Sequence, residues 1–203
     1  MRFYIGGVLV LLAAVILIAI YGPVIREEIS YGSSRVGSVK YVLEDVPYNT
    51  FVKILTPVNT DFSIIVPKIA AVAPIIGEVD PNDPNIYLPA LKKGVAHVLG
   101  SVVPGDNGNV YLLAHSKDAF YNVGQYNAVF YLLGKLTQGD EIYIYYKDRR
   151  FKYEVSEIKV VNPGEVNYLS GSPDVKTLTI QTGYPVGTVK KRLIVIANEI
   201  GLQ

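Results

Sequence analysis

The sequence contains no cysteine, no tryptophan and only two histidines. Without cysteine the chain can form no disulfide, no thiolate metal site and no cysteine nucleophile. With His97 and His115 alone it cannot build a metal centre that requires several histidines. No group of carboxylates has the spacing of a metal site either, and nothing establishes a calcium site. We therefore expect neither a metal nor a cofactor.

Charged side chains are also scarce. They make up 18% of the 203 residues, compared with about 25% in typical soluble domains. The 19 basic and 18 acidic residues leave a net charge of +1. Such a balance provides no positive field for a polyanion, so we expect no nucleic-acid partner.

Hydrophobic residues are abundant by contrast, at 50% of the chain, and part of the excess is concentrated near the N-terminus. Phe3–Ile25 carries no charge, and a helix of that length spans about 34 Å, enough for a hydrocarbon core of about 30 Å. This stretch predicts a membrane anchor at residues 1–25. A cleaved signal peptide is the alternative, although no clear cleavage site follows. The short N-terminal tail favours a cytoplasmic N-terminus and an extracellular domain.

The rest of the chain divides into a stalk at residues 26–60, with one short helix or strand, and a compact domain at residues 61–203. Alternating apolar and polar residues from Phe151 to Ser156 are typical of a half-buried strand. We predict about eight strands and one or two short helices, hence a β-barrel or sandwich. The helices are expected at Leu88–Lys93 and around Phe130, Leu133 and Leu136. Pro67 and Pro74 suggest edge or bulged strands.

Few residues could carry chemistry. His115 follows an apolar run at the end of a predicted strand, and Arg192 begins the last strand, directly after Lys190 and Lys191. Taken singly, each has an ordinary structural explanation, because such a histidine is often only hydrogen-bonded and such an arginine only solvated. The Lys147–Arg150 run is most simply a solvated hairpin tip. Composition and spacing alone therefore define no reaction.

The order of several short segments resembles the sortase family, the membrane-anchored cysteine transpeptidases of bacterial surfaces. Any one of these segments is a weak match, but together they follow the family's order from about residue 61 to 199. They are Ile65–Ile69, Gly94–His97, Pro104–Asn109, Leu112–Ser116, Leu136–Ile142, Leu178–Tyr184 and Lys191–Val195.

This resemblance implies a closed eight-stranded barrel with a histidine, a cysteine and an arginine at one end of a groove. In the family the cysteine attacks a sorting-signal peptide, and an amine then resolves the thioester, which joins a surface protein to the cell wall or to another protein. By position, His115 corresponds to the acid/base and Arg192 to the arginine that steadies the substrate. Thr182, Ala114 and Ser116 correspond to peptide contacts. His97 corresponds to a second histidine to which no role is assigned.

Gly183 occupies the position of the family's cysteine, so the sequence lacks the nucleophile. The hydroxyl groups of Thr182, Tyr184 and Ser116 are nearby in sequence, but Thr182 is expected on the opposite face of its strand. Three interpretations remain open. The chain is a natural pseudoenzyme that binds peptide tails, a sortase whose cysteine was lost by mutation or sequencing error, or a surface scaffold that uses the barrel only for contacts.

Overall fold

The computed structural model describes residues 6–15, 18, 22, 25, 29, 40–42, 52–114, 128–165, 174–185 and 188–202. Residues 6–15 are helical, and their side chains are exposed. Within the described ranges, no helix combines the length and the apolar character that a membrane crossing requires. Much of Phe3–Ile25 lies outside the described residues, so the anchor stays a prediction.

The domain is a closed barrel of eight strands, as the sequence predicted. Its strands, in chain order, are β3 (Phe62–Val66), β4 (Ala71–Val79), β5 (Val95–Val98), β6 (Gly108–Leu113), β7 (Glu141–Tyr146), β8 (Arg149–Val161), β9 (Lys176–Tyr184) and β10 (Lys191–Leu202). Around the barrel they follow the order β10-β8-β7-β3-β4-β5-β6-β9. A closed barrel leaves no strand edge unpaired, and its alternate side chains fill one continuous core.

Two further short strands lie in the predicted stalk, where we had expected a single short element. β1 (Lys40–Val42) and β2 (Val52–Ile54) form a separate parallel pair. Immediately after β2, Leu55 packs on Ile65 and Tyr143. The end of the stalk therefore contacts the barrel. The domain boundaries themselves stay a prediction.

Backbone hydrogen bonds to a distant segment hold the tight turn between β7 and β8. Lys147 and Asp148 both have a positive φ, of 50° and 61°, as a two-residue hairpin turn requires. Their backbone N–H groups donate to the carbonyl oxygens of Asp61 and Thr60 over 3.0 and 3.1 Å. The charged run that includes them is therefore a hairpin tip.

The helices differ in extent from the prediction. The surface helix (Pro84–Lys93) begins earlier than the expected turn, because the Asp83 side chain accepts a hydrogen bond from the Asn85 N–H and caps its first turn. A 3-10 helix covers Ala128–Lys135. Its threefold period suits Phe130 and Leu133, which are buried together with Leu136.

Of the two predicted alternatives for the strand around Pro74, the edge strand is wrong, because β4 lies between β3 and β5. The bulged strand is confirmed, because the register of β4 with β5 shifts between Ile76 and Val79. Pro74 itself lies opposite Ser63 of β3. Pairing with β5 on the other side begins one residue later, at Ile75, so the missing N–H of Pro74 falls outside that ladder. Pro67 ends β3 by starting a second 3-10 helix, Pro67–Ile69.

Candidate functional site

Two of the predicted site positions face each other across a strand pair. β9 and β10 run antiparallel, and Gly183 lies directly opposite Arg192 in their register. The preceding pair joins Thr182 to Leu193. Because side chains alternate across a strand, Gly183 and Arg192 share one face of the sheet, and Thr182 and Leu193 share the other.

The burial of neighbouring side chains shows which of these two faces points into the barrel. Leu178, Ile180 and Leu193 belong to the barrel core, and Thr182 is only 4% exposed. Thr182 therefore points inward, and Gly183 and Arg192 lie on the outer surface. The Thr182 hydroxyl is buried and has no hydrogen-bond partner among the described residues. It faces away from Arg192, so it is not positioned to replace a nucleophile at Gly183.

The Arg192 guanidinium is held by the loop that precedes it. Nη1 donates to the carbonyl oxygens of Val189 at 2.8 Å and Lys191 at 3.2 Å. The loop itself is closed by Thr188, whose hydroxyl and N–H both donate to the Pro185 carbonyl. Neutral carbonyl groups orient the guanidinium but do not cancel its charge.

A third strand ends beside this pair. β6 runs parallel to β9, and the Ala114 N–H donates to the Gln181 carbonyl at 2.8 Å. The end of β6 is thereby fixed two residues before Gly183 on the neighbouring strand. Ala114 itself is buried. His115 and Ser116, which follow it, lie outside the described residues.

The face of β9 that leads to Gly183 is polar but covered, which we did not predict from the sequence, because Tyr111, Asn109 and Thr179 are all buried. The Tyr111 hydroxyl donates to Gln181 Oε1 at 2.6 Å. Farther along, Thr177 and Thr179 both donate to Asn109 Oδ1 at 3.0 Å. Counting back from Gly183 in steps of two would have placed these β9 residues on the site's face, because a strand repeats every second residue.

His97 occupies a separate, structural position. It is 2% exposed, and its ring packs on Phe62 with centroids 5.5 Å apart. Nε2 lies 3.0 Å from the Val102 carbonyl and 2.9 Å from Ser101 Oγ. Since a carbonyl only accepts, Nε2 carries the proton. Nδ1 is buried without a partner among the described residues.

The strand pair that carries Gly183 and Arg192 has basic residues but no acidic ones close to them in sequence. No aspartate or glutamate occurs between residues 175 and 198. Lys190 and Lys191, next to Arg192, are exposed. Among the described residues, no group of three or more histidines and carboxylates could hold a metal ion.

Comparisons with known proteins agree with this architecture. A family model described as a sortase domain matches residues 64–200, more than half of the chain. Sortase D of Bacillus subtilis (strain 168) is 28% identical over 138 residues, which make up 66% of this chain and 61% of that protein. The match therefore covers less than two thirds of that relative.

Solved structures are similar as well. A sortase D5 transpeptidase from Clostridium perfringens has 32% identity and a TM-score of 0.57, covering 70% of this chain and 79% of the other. Sortase A from Corynebacterium diphtheriae has 29% identity and a TM-score of 0.59, covering 70% and 61%.

Proposed function

The chain belongs to the sortase family, and we propose that its barrel binds the C-terminal sorting signal of surface proteins without forming a thioester. The observation that carries this proposal is the register of β9 and β10, which sets Gly183 against Arg192 on the outer surface. A sortase of ordinary sequence would use such a site to transfer the peptide to an amine of the cell wall or of another protein. Here the same surface lacks the thiol.

In this proposal the Arg192 guanidinium donates to a carbonyl oxygen of the bound peptide. Its Nη1 is fixed by Val189 and Lys191, which pre-orients the remaining donors. His115 follows Ala114 at the end of β6 and is assigned the acid/base role. Ser116 is assigned to the wall of the peptide site. The sequence also predicted peptide contacts for Ala114 and Thr182, but both side chains are buried, Ala114 lies in the barrel core, and Thr182 faces away from Arg192, so we assign them to the support of that wall.

The chain lacks the thiol chemistry of the family because of one residue, Gly183, which stands where the family has its cysteine. In a serine protease, loss of the nucleophile lowers turnover by about a million-fold, and glycine offers no substitute atom. Retention of His115 and Arg192 alongside Gly183 favours two explanations equally, a peptide-binding pseudoenzyme and a transpeptidase that lost its cysteine. The third explanation is a scaffold that never binds sorting signals, and it does not account for the presence of His115 and Arg192.

We assign the chain to the cell membrane, with Phe3–Ile25 as a single-pass anchor. Its N-terminus then lies in the cytoplasm and residues 26–203 outside. The uncharged length of this stretch supports the assignment, as does membership of a family whose members are membrane-anchored.

The decisive experiment restores the nucleophile with Gly183→Cys in the full chain. The thiol introduced at this position would give its proton to His115, and its sulfur would attack a peptide carbonyl carbon. The C–N bond would then break as His115 passes that proton to the leaving amine, which leaves a thioester on the protein. We expect the unaltered chain to bind sorting-signal peptides without cleaving them. The variant should form a thioester adduct, seen by mass spectrometry, and release the C-terminal fragment.

Gly77→Cys is the matched control. Gly77 is an exposed strand glycine in β4, with nothing within 4 Å of an added Cβ, and β5 and β6 separate β4 from β9. It should be labelled by a thiol reagent but should cleave nothing. Adding His115→Ala to Gly183→Cys should abolish cleavage. If the unaltered chain cleaves peptide as fast as Gly183→Cys, another nucleophile operates and the proposal is wrong.

A further inference from the structure

We propose that Lys190 and Lys191, at the start of β10, select peptides that carry carboxylate side chains. The surface concerned, called here the basic rim, consists of Tyr184, Val189, Lys190 and Lys191. The inference rests on the proposed peptide-binding function and adds to it the chemistry of the partner.

The register brings the basic rim to the site. Lys191 pairs with Tyr184, and the next pair along the two strands is Arg192 with Gly183. Successive residues of a strand are about 3.3 Å apart. A peptide that lies along the outer surface at Gly183 therefore reaches the rim within one or two of its own residues.

The two lysines of the rim carry charge that the described part of the chain does not neutralise. Four other lysines have carboxylate partners, namely Lys68 with Asp140, Lys152 with Glu141, Lys159 with Glu157 and Lys176 with Glu199. Lys190 and Lys191 have no such ion pair among the described residues, and both are exposed. Arg192 adds a third cation, bonded there to carbonyl oxygens only.

This local excess is not part of a generally basic surface, because the whole chain has a net charge of only +1. A broad anionic surface such as a lipid bilayer would meet many acidic side chains as well as these cations. A short peptide segment meets the rim alone. Opposite charge on the partner both speeds its arrival and favours it over neutral competitors.

The basic rim also contains two exposed apolar residues that can contact apolar side chains of a bound peptide. Tyr184 is 39% exposed and Val189 is 49% exposed. An extended peptide presents alternate side chains to a surface, so apolar and acidic residues can contact these neighbours in turn. The partner is thus an acidic peptide segment with interspersed apolar residues.

The test uses the full chain, in a non-ionic detergent, on an array of randomised short peptides. We expect the bound peptides to be enriched in aspartate and glutamate. The double variant Lys190→Gln/Lys191→Gln should lose this enrichment. For one selected peptide, affinity should fall roughly two- to tenfold, the scale of two exposed ion pairs, and the difference should shrink at high salt.

Lys92→Gln/Lys93→Gln is the matched control, because it removes an adjacent exposed lysine pair at the end of the surface helix. It should leave the enrichment intact. Peptides bound without acidic enrichment, or an enrichment that survives loss of Lys190 and Lys191, would overturn this inference and leave peptide binding standing. The inference would also be overturned if the chain bound anionic vesicles through the basic rim and did not bind acidic peptides. Failure to bind any peptide would instead refute the proposed function.

Discussion

His97 shows how one buried side chain supports the barrel without taking part in a site. Its imidazole fills space against Phe62 and donates to the Val102 carbonyl. Truncation leaves a cavity and an unpaired buried carbonyl, and each of these is costly. The residue therefore belongs to the stability of the fold.

We predict that His97→Ala lowers the free energy of unfolding by about 2 to 4 kcal/mol, measured by urea denaturation. In the Gly183→Cys background it should leave the thiol reaction with peptide unchanged under conditions where the protein stays folded. A loss of that reaction without a loss of stability would contradict the structural role.

At the same scale, the sequence alone predicted some positions and not others. The opposition of Gly183 and Arg192 could be expected only through the resemblance, because nothing local links residues that belong to different strands. That Thr182 lies on the opposite face of its strand from Gly183 followed from strand alternation alone, but burial in the structure was needed to show that this face points inward. The fixing of Arg192 by the Val189 carbonyl could not be predicted, since it depends on the backbone path of a loop.

Among the elements, β8 and β10 are joined by an interior polar contact. The buried Tyr153 hydroxyl donates to Glu199 Oε2 at 3.2 Å. Burial raises the pKa of Tyr153 far above its usual value of about 10, and the neighbouring charge of Glu199 and their hydrogen bond raise it further. In the folded protein the phenol thus stays protonated where an unfolded chain would ionise.

The raised pKa of Tyr153 makes the folded protein less stable at high pH. Below about pH 10 the phenol is neutral in both states, and its stabilising contribution is complete. As the pH rises above that value, only the unfolded state loses the proton, so the free energy of unfolding falls by up to about 1.4 kcal/mol per pH unit. With Tyr153→Phe, the free energy of unfolding measured by urea denaturation should fall less steeply between about pH 9 and 11 than in the unaltered chain. Equal pH profiles for Tyr153→Phe and the unaltered chain would contradict the assignment.

The sequence predicted the positions of some strands well but the extent and type of the helices less well. Strands with strict alternation, such as Phe151 to Ser156, were found where expected. The surface helix was predicted too short, because the Asp83 cap acts through hydrogen bonds that hydropathy does not reveal. The threefold spacing of Phe130, Leu133 and Leu136 indicated a helix but did not distinguish an α-helix from the observed 3-10 helix.

For the molecule as a whole, the pattern of about eight short strands limited the predicted fold to a barrel or a sandwich, and the resemblance selected the barrel. Closure itself could not be derived from local patterns. It depends on pairings such as β10 with β8 and β6 with β9, which join segments far apart in sequence.

The orientation of the chain gives a prediction at this scale. With Phe3–Ile25 as an anchor and the domain outside, protease added to intact cells should degrade the barrel domain and leave the N-terminal tail protected. Immunoblotting with tags at each end would record this. Protection of the domain in intact cells, with digestion only after lysis, would rule out the proposed orientation.

The position of β9 affects the order in which the barrel can assemble during synthesis. β9 lies between β6 and β10 in the barrel, and both β9 and β10 come from the last 28 residues of the chain, 176–203. During synthesis the strands that precede β9 and β10 emerge first, so β6 and β8 lack the neighbours that close the barrel. The proposed site at Gly183 and Arg192 therefore assembles only after β9 and β10 have paired with each other and with those earlier strands.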